Sequence, residues 1–526
     1  MMMMMKTVRI ANCGRCCLLV IMAMLCPVIL SVPASMGAET SYRNPVLPGD
    51  YSDPSLLRVG QDYYMVCDSL LYTPGLLIWH SRDLVHWEPV TYALKSYDGD
   101  TAAPHIVHYQ GRFYIYYTTG NSTHVVYARN ISGPWTKPIK LTRNGVKFSA
   151  FDPSFITNRK GTPYLVGAGT YLIRLAANGL SVIGKRHYIY HGWPIPKNWD
   201  VECPCLESPK IIYHHGFYYM VSAEGGTSGP PTSHMAVVAR SPHLFGPWKN
   251  SPFNPLVHTY SHHDVWWSTG HGSLIDTPDH SWYIVFHGYR RHFLTLGRSV
   301  LMEPVRWTKG GWLKLRPGSH PSGTLPYPGG SLVSGAMHLS DNFPGPALGL
   351  QWQFYGAVGA GRYRVANHSL TLKATGKVMA TSSPVLCMAV AKAYAISADV
   401  TVEKGNKGGL VLFYNPSEYI SVGIGKGDVW FGQQGQMGAA GPFNGNHAVV
   451  KIINNHNAVQ CFIGKSAGAM HKIGISLYVG GYTHQTFGGY LSLRPGLYSV
   501  GQHAAIFRNF KYKIMGRPDR GGHPAN

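Results

Sequence analysis

Apolar and polar residues alternate in short runs along most of the chain, and Gly, Pro, Asn and Asp break the runs. That rhythm predicts half-buried β-strands joined by tight turns. One strand–turn–strand unit recurs through the first 315 residues. It reads DPSLLRVGQDYYMVCDS from Asp53, APHIVHYQGRFYIYYTT from Ala103, DPSFITNRKGTPYLVGAG from Asp152, SPKIIYHHGFYYMVSAEG from Ser208 and HGSLIDTPDHSWYIVFHG from His271. The starts lie 50, 49, 56 and 63 residues apart, and strand-like pieces such as HVVYARNISGPW fill the intervals. Four strands per period of about 50 residues make one propeller blade. Five units therefore predict a five-bladed β-propeller over residues 42–316.

Residues 317–337, PGSHPSGTLPYPGGSLVSGAM, are rich in Pro, Gly and Ser and read as a linker over the surface. Beyond them, runs such as SLTLKATG, YAISADVTVE, GGLVLFYN and AVVKIIN alternate without helical periodicity, which predicts a β-sandwich over 338–515. The all-β class holds for both parts. The last residues, 516–526, read as a disordered tail.

Composition adds a compartment and a charge. Lys6, Arg9 and Arg15 precede an apolar run from Cys16 to Val32, followed by small residues to Ala38. This is the pattern of an export signal over 1–38, and the expected location is secreted or periplasmic. No other stretch is apolar enough to span a membrane, so no stable membrane insertion is expected. The leader holds three of the basic residues behind the net charge of +22, leaving +19 for the rest. Such a balance favours anionic neighbours, for example an acidic polysaccharide. The basic residues are scattered with no Lys/Arg run, which argues against a nucleic-acid partner. Outside the leader stand Cys67, Cys203, Cys205, Cys387 and Cys461, an odd set whose spacing fits no zinc pattern. Buried thiols are expected, Cys203 and Cys205 included. Nothing in the sequence fixes an oligomeric state.

The repeat also places candidate chemistry. The first strand of each propeller blade lies against the central axis, so residues at equivalent starts face one another across the channel mouth. Asp53 and Asp152 occupy such starts, and Glu207 directly precedes Ser208. Carboxylates crowded in a funnel raise one another's proton affinity, which lets one stay protonated while another stays ionised. Hydrolysis of a glycosidic bond needs that split.

The segments NPVLPGDYSDPSLLRVGQDYYM, FDPS, ESPKII, STGHGSLIDTPD and LGRSVLMEPVRW resemble glycoside hydrolase family 43 over about residues 42–316. The resemblance implies an inverting enzyme of the β-xylosidase or α-L-arabinofuranosidase type, acting on xylan- or arabinoxylan-derived oligosaccharides. It implies Asp53 as the general base, Glu207 as the general acid and Asp152 as the residue that raises the acid's proton affinity. Arg298 in LGRS would bind the sugar near the reacting centre. His271 in GHGS would stand near the channel, a possible neighbour of a bound calcium; no cofactor is otherwise required. The second domain resembles the concanavalin-like module of the β-xylosidase branch. Two departures stand out. Ala102-Ala103-Pro104 replaces the usual Trp-Ala-Pro, so the sugar platform must come from elsewhere, with Phe151, Trp266, Trp79 and Trp267 as candidates. Glu207-Ser208-Pro209 replaces Glu-Gly-Pro. A rival acid is Glu202, whose Glu202-Cys203-Pro204 is similar to a motif of retaining fructan-active propellers, but only Glu207 leads directly into a strand in the repeat register.

Overall fold

The computed structural model describes residues 39–516 apart from 426; the expected export signal over 1–38 and all but the first residue of the expected tail over 516–526 lie outside the described residues. Five sheets follow one another in chain order, antiparallel throughout except for one parallel bridge, Arg143 to Val182, in the third. Their innermost strands are Ser55–Val59, Thr101–Tyr109, Ser154–Thr157, Glu207–His214 and Trp266–Asp276, one for each blade of a five-bladed propeller. The hairpin partners carry the aromatic half of each repeat: Tyr63, Tyr116, Leu165, Tyr219 and Phe286 fill the apolar layers between blades. Alternation along a strand sends its apolar residues into both flanking layers, which is why the blades read as runs rather than as one-sided strands.

The repeat has a backbone signature. Asp53, Ala103, Asp152, Ser208 and His271 all take positive φ, at 55°, 48°, 48°, 50° and 59°. No glycine occupies any of the five positions, so each carries the steric cost of the left-handed region. The ladder is irregular at three of them, between Ala102 and His105, Glu207 and Lys210, and Gly270 and Ser273. Each irregularity turns the chain where it enters the channel and re-aims a side chain toward the axis.

Closure involves the first described segment. Leu47 bridges to Val300 in the last blade, and Asn44 Nδ2 donates to the Met302 carbonyl at 3.0 Å. Ser41–Arg43 pairs with Thr324–Pro326, so the Pro/Gly-rich segment 317–337 is held by a strand, with Leu325 buried.

The second unit of structure is a sandwich of an eight-stranded and a seven-stranded sheet. One strand of the larger sheet, Tyr72–Thr73, is lent by the first blade and pairs with Gln353–Tyr355. Leu70 and Tyr72 accordingly sit in the sandwich core. Propeller and sandwich share both a sheet and a core. No helix among the described residues is long and apolar enough to cross a membrane.

The cysteines depart from expectation at one place. Cys67, Cys387 and Cys461 are buried free thiols, but Cys203 and Cys205 form a disulfide. The intervening Pro204 bends the segment enough to bring the two side chains together, with Cα atoms 5.2 Å apart.

Candidate active site

The positive-φ positions at or near the entries of the five innermost strands gather at one mouth. Asp53 is buried there, and its Oδ1 lies 3.2 Å from Arg298 Nη1 and 3.6 Å from His271 Nδ1. His271 Nε2 faces Asp152 Oδ2 at 3.3 Å, so one imidazole bridges two carboxylates from different blades. Asp152 Oδ2 also accepts the Ser208 N–H at 3.0 Å, fixing the backbone beside Glu207. Asp152, Glu207 and His271 bring ligand-type atoms within 4.8 Å of one another. Repeat position put Asp53, Asp152, Glu207 and His271 at one mouth, the family resemblance added Arg298, and the structure brings all five together.

Their electrostatics differ in sign. Burial by itself would raise the Asp53 carboxyl, but His271, Arg298 and the His287 contact outweigh it and hold Asp53 well below the usual range. Glu207 moves the other way: burial, then the negative charges of Asp152 and Asp53, push it well above. Two carboxyls in one mouth thus favour opposite protonation states.

Several participants carried no recognisable motif. Asp68 Oδ1 accepts the Ala103 N–H at 2.6 Å, and its Oδ2 faces Arg298 Nη2 at 3.5 Å. Burial and the charge of Asp53 raise its carboxyl well above the ordinary value. His287 Nδ1 accepts the Asp53 N–H at 3.1 Å; burial pushes this imidazole down to about 3, so it stays neutral. His234 packs against it with ring centroids 5.2 Å apart, and a Cβ at Gly270 would come within 2.2 Å of the His234 ring. The first glycine of GHGS, Gly270, is therefore a close-approach position. Lys210 Nζ donates to the Pro54 carbonyl below the mouth, and burial brings it down to about 8. Asp68 and His287 lie fifteen and sixteen residues after the starts of their blades, on second strands or just beyond. Their signal was only a polar residue at the end of an apolar strand.

The sandwich also reaches the mouth. Tyr490 lies under the Arg298 guanidinium, whose Cζ is 5.1 Å from the ring centroid, and its hydroxyl is 2.9 Å from Ser228 Oγ. Glu202 is exposed and accepts from Ser228 N at 2.8 Å, Ser228 Oγ at 2.9 Å and Gly229 N at 2.9 Å. Its oxygens tie a loop together.

Of the aromatic platform candidates, Phe151 is 53% exposed beside Asp152. Trp266 is only 4% exposed and belongs to the apolar layer formed with Tyr219, Ile284 and Leu301, which corrects the expectation that it presents a face to sugar. Trp79 is likewise core, edge-on to Tyr51. Both face inward because each lies on a strand flanked by two apolar layers. Trp267 is half-buried, and its indole N–H donates to the His262 carbonyl at 3.2 Å.

As a calcium site the cluster of Asp152, Glu207 and His271 is a poor match. Calcium takes six to eight oxygen ligands, whereas this set offers an imidazole already facing two carboxylates, and one of the acids favours its protonated form.

Opposed carboxyls at the mouth of a five-bladed propeller, with a β-sandwich leaning on the rim, define a propeller-type glycoside hydrolase. The chain belongs to glycosyl hydrolases family 43, whose model matches residues 42–313; residues 340–513 match the β-xylosidase C-terminal concanavalin A-like domain. It is 30% identical to a non-reducing end α-L-arabinofuranosidase of Bacteroides ovatus, over 60% of this chain and 61% of that protein. It is 31% identical to a xylosidase/arabinosidase of Humicola insolens, over 53% of this chain and 56% of that protein. The chain thus spans less than two thirds of the length of these curated relatives. Among solved structures, a family 43 protein of Bacillus licheniformis superposes with a TM-score of 0.81 at 24% identity, covering 90% of this chain and all of that one. At that identity the likeness speaks for the fold.

Proposed function

We propose that the protein is an inverting, exo-acting glycoside hydrolase that releases pentose from plant cell-wall polysaccharide or its oligosaccharides, acting as a β-1,4-xylosidase. The observation that carries this reading is the opposite displacement of the Asp53 and Glu207 carboxyls within one mouth. Ionised Asp53 takes a proton from water as that water attacks the anomeric carbon. Protonated Glu207 gives its proton to the departing glycosidic oxygen as the carbon–oxygen bond breaks. One displacement inverts the configuration, and exchange with solvent resets both carboxyls. Asp152 sustains the proton on Glu207, and Arg298 keeps Asp53 ionised and in place. Phe151, exposed at the rim, supplies a flat apolar face for the sugar. Tyr490 supports exo action, because it walls one side of the mouth from the sandwich.

A second reading, α-L-arabinofuranosidase, is favoured by the name of the Bacteroides ovatus relative. β-Linked xylose and α-linked arabinofuranose present similar outlines to a pocket. Leader-like residues 1–38 support export, and the location proposed is secreted or periplasmic.

Proton NMR of the protein digesting arabinoxylan and short xylo-oligosaccharides, read in the first minutes, tests the assignment. Early α-xylose is the expected product. Arabinose alone would move the activity to the second reading, early β-xylose would mean retention, and no sugar at all would overturn the proposal.

A further inference from the structure

A mouth built for a neutral pentose leaves the positive charge of the chain unexplained. That charge is concentrated in the second domain. Residues 338–515 hold fifteen Lys and Arg against five Asp and Glu, while residues 39–337 hold twenty-six against eighteen. Within the sandwich the imbalance falls on one sheet. The seven strands of the smaller sheet contain seven Lys or Arg and a single carboxylate, Asp399.

Alternation decides where those cations point. On strands Ala393–Val402, His447–Asn455, Ala458–Gly464 and Ala504–Ile514, the side chains of Ile396, Val450, Cys461 and Tyr512 enter the sandwich core. Their neighbours Ser397, Lys451, Phe462 and Lys511 therefore face outward. On strand Met470–Tyr478, Ile473 goes inward and Lys472 outward. Register then lines these residues up: Lys511 pairs with Ser397, Ser397 with Lys451, Lys451 with Phe462, and Phe462 with Lys472. The result is one row across five strands, with a lysine on the first, the third and the fifth. Neighbouring strands lie about 4.8 Å apart, so successive lysines are rooted roughly 10 Å from one another. Lys511 and Lys472 are exposed, and Ser397, Lys451 and Phe462 in mid-sheet are half-buried, so no further layer of the fold covers the row.

Like charges on one face repel each other, and the fold does not offset this. Among the described residues Lys451, Lys472 and Lys511 stand in no ion pair. Asp399 lies opposite Arg508 instead, and its Oδ2 accepts from Asn509 Nδ2 at 2.6 Å. A linear polymer with carboxylates at intervals can meet all three lysines. Between them, the Phe462 ring offers a flat apolar face to a sugar and the Ser397 hydroxyl offers a hydrogen bond.

We infer that the outer face of this sheet binds an anionic polysaccharide, a chain bearing carboxylates, along the row Lys511, Lys451 and Lys472. The choice of a saccharide rests on the glycosidase reading above; the surface itself rests on charge and register. A turn of the same sheet is tied to the propeller, with Asn457 Nδ2 donating to the His292 carbonyl at 2.9 Å. A polymer held on this face is thus held on the same body as the mouth.

Calorimetric titration of polygalacturonate, which presents carboxylates and no pentose, tests the surface without using the mouth. Binding is expected in dilute salt and should weaken as salt is added. Lys451→Gln, Lys472→Gln and Lys511→Gln combined should weaken it by about tenfold. Lys140→Gln, Arg143→Gln and Lys147→Gln combined remove the same charge from exposed positions of the propeller and should change it little. Phe462→Ala keeps every charge and should still weaken binding by about threefold. Absence of binding, or equal losses in the two triple variants, would overturn the inference. So would tighter binding, through the same lysines, to phosphatidylglycerol vesicles, which would make the face a lipid-docking surface. Thermal melts accompany each variant, and loss of the folded state in the sandwich triple transfers the decision to Lys472→Gln with Lys511→Gln. Hydrolysis of an aryl xyloside or aryl arabinofuranoside tests the glycosidase reading separately. An inactive protein that still bound polygalacturonate through these lysines would fail that reading and keep the surface.

Discussion

Arg494, carried by the sandwich, stands with Nη2 3.9 Å from Oδ2 of Asp50, a buried carboxylate of the propeller. Asp50 Oδ1 in turn accepts the backbone N–H of Arg298 at 3.1 Å, and the Arg298 guanidinium holds Asp53. The second domain is thereby linked to the proposed base through three successive contacts. Burial raises the Asp50 carboxyl, and the charges of Arg494 and Arg298 pull it back. Arg494 is itself fixed, with Nη1 donating to Gln353 Oε1 at 2.8 Å and Cζ 3.4 Å from the Tyr72 ring centroid.

Removing one member of this pair leaves the other buried without its partner, a loss of about 3–5 kcal/mol. Arg494→Met should therefore lower the unfolding midpoint markedly, and Asp50→Asn should do so as well. The double variant should cost about 1–3 kcal/mol less than the two singles added together. Denaturant unfolding of the four proteins measures that coupling, and strict additivity would mean the domains are not linked through this contact.

Glu207 and Asp53 should respond differently to the leaving group. Glu207→Ala is expected to slow xylobiose hydrolysis by about 10²–10⁴-fold, while an aryl xyloside with an acidic phenol, which needs no protonation, loses far less. Asp53→Ala should abolish both reactions. Steady-state kinetics on the two substrates decides it. A Glu202→Ala protein with the Glu207→Ala phenotype would transfer the acid role, against the loop-tying contacts that Glu202 makes with Ser228 and Gly229.

Asp152 acts on Glu207 through charge. Activity needs Glu207 protonated, so the alkaline limb of the pH profile follows the Glu207 carboxyl, and the acid limb follows protonation of Asp53. Burial is the larger reason Glu207 is raised and Asp152 the next. Asp152→Asn removes a negative charge while keeping an oxygen to accept the Ser208 N–H. Glu207 should then lose its proton more readily, and the alkaline limb of kcat/KM should move to lower pH. A limb that stays in place would show that Asp152 works through position alone.

How much of this was legible depended on whether a residue's role was written in local pattern. The five blade starts were, because hairpin period and strand entry recur in the sequence, and the shared positive φ of Asp53, Ala103, Asp152, Ser208 and His271 is the physical form of that repeat. Glu207 sits one residue ahead of that position and still reaches the mouth, because the ladder shifts between Glu207 and Lys210. Trp266 was misplaced because an aromatic on a blade strand looks alike whether it faces a groove or a neighbouring blade. The disulfide was missed because two cysteines separated by one proline read equally well as buried thiols. Asp68, His287, Asp50 and Arg494 could not be found locally at all. Asp50 meets Arg494 across more than four hundred residues, where the strand Tyr72–Thr73 lent to the sandwich and contacts such as Thr295 with Asn457 hold the domains together.

Glu303 offers a test of the interior that is independent of catalysis. It lies buried on strand Arg298–Trp307 opposite Ile284, and among the described residues its Oε1 has no hydrogen-bond partner. Burial pushes its carboxyl up to about 8, from an ordinary value of about 4.3. Between those two pH values the native state holds a proton that the unfolded chain has released. The unfolded state then binds fewer protons, so stability falls as pH rises through that window and the full penalty is present above it. Glu303→Gln keeps the shape and cannot ionise. It should melt close to the unmodified protein at pH 5 and clearly above it at pH 9, by on the order of a few kcal/mol. Thermal melts across that range give the two slopes. Parallel slopes would mean that Glu303 ionises in the folded protein at no cost, with water reaching a carboxylate that the surrounding strands bury.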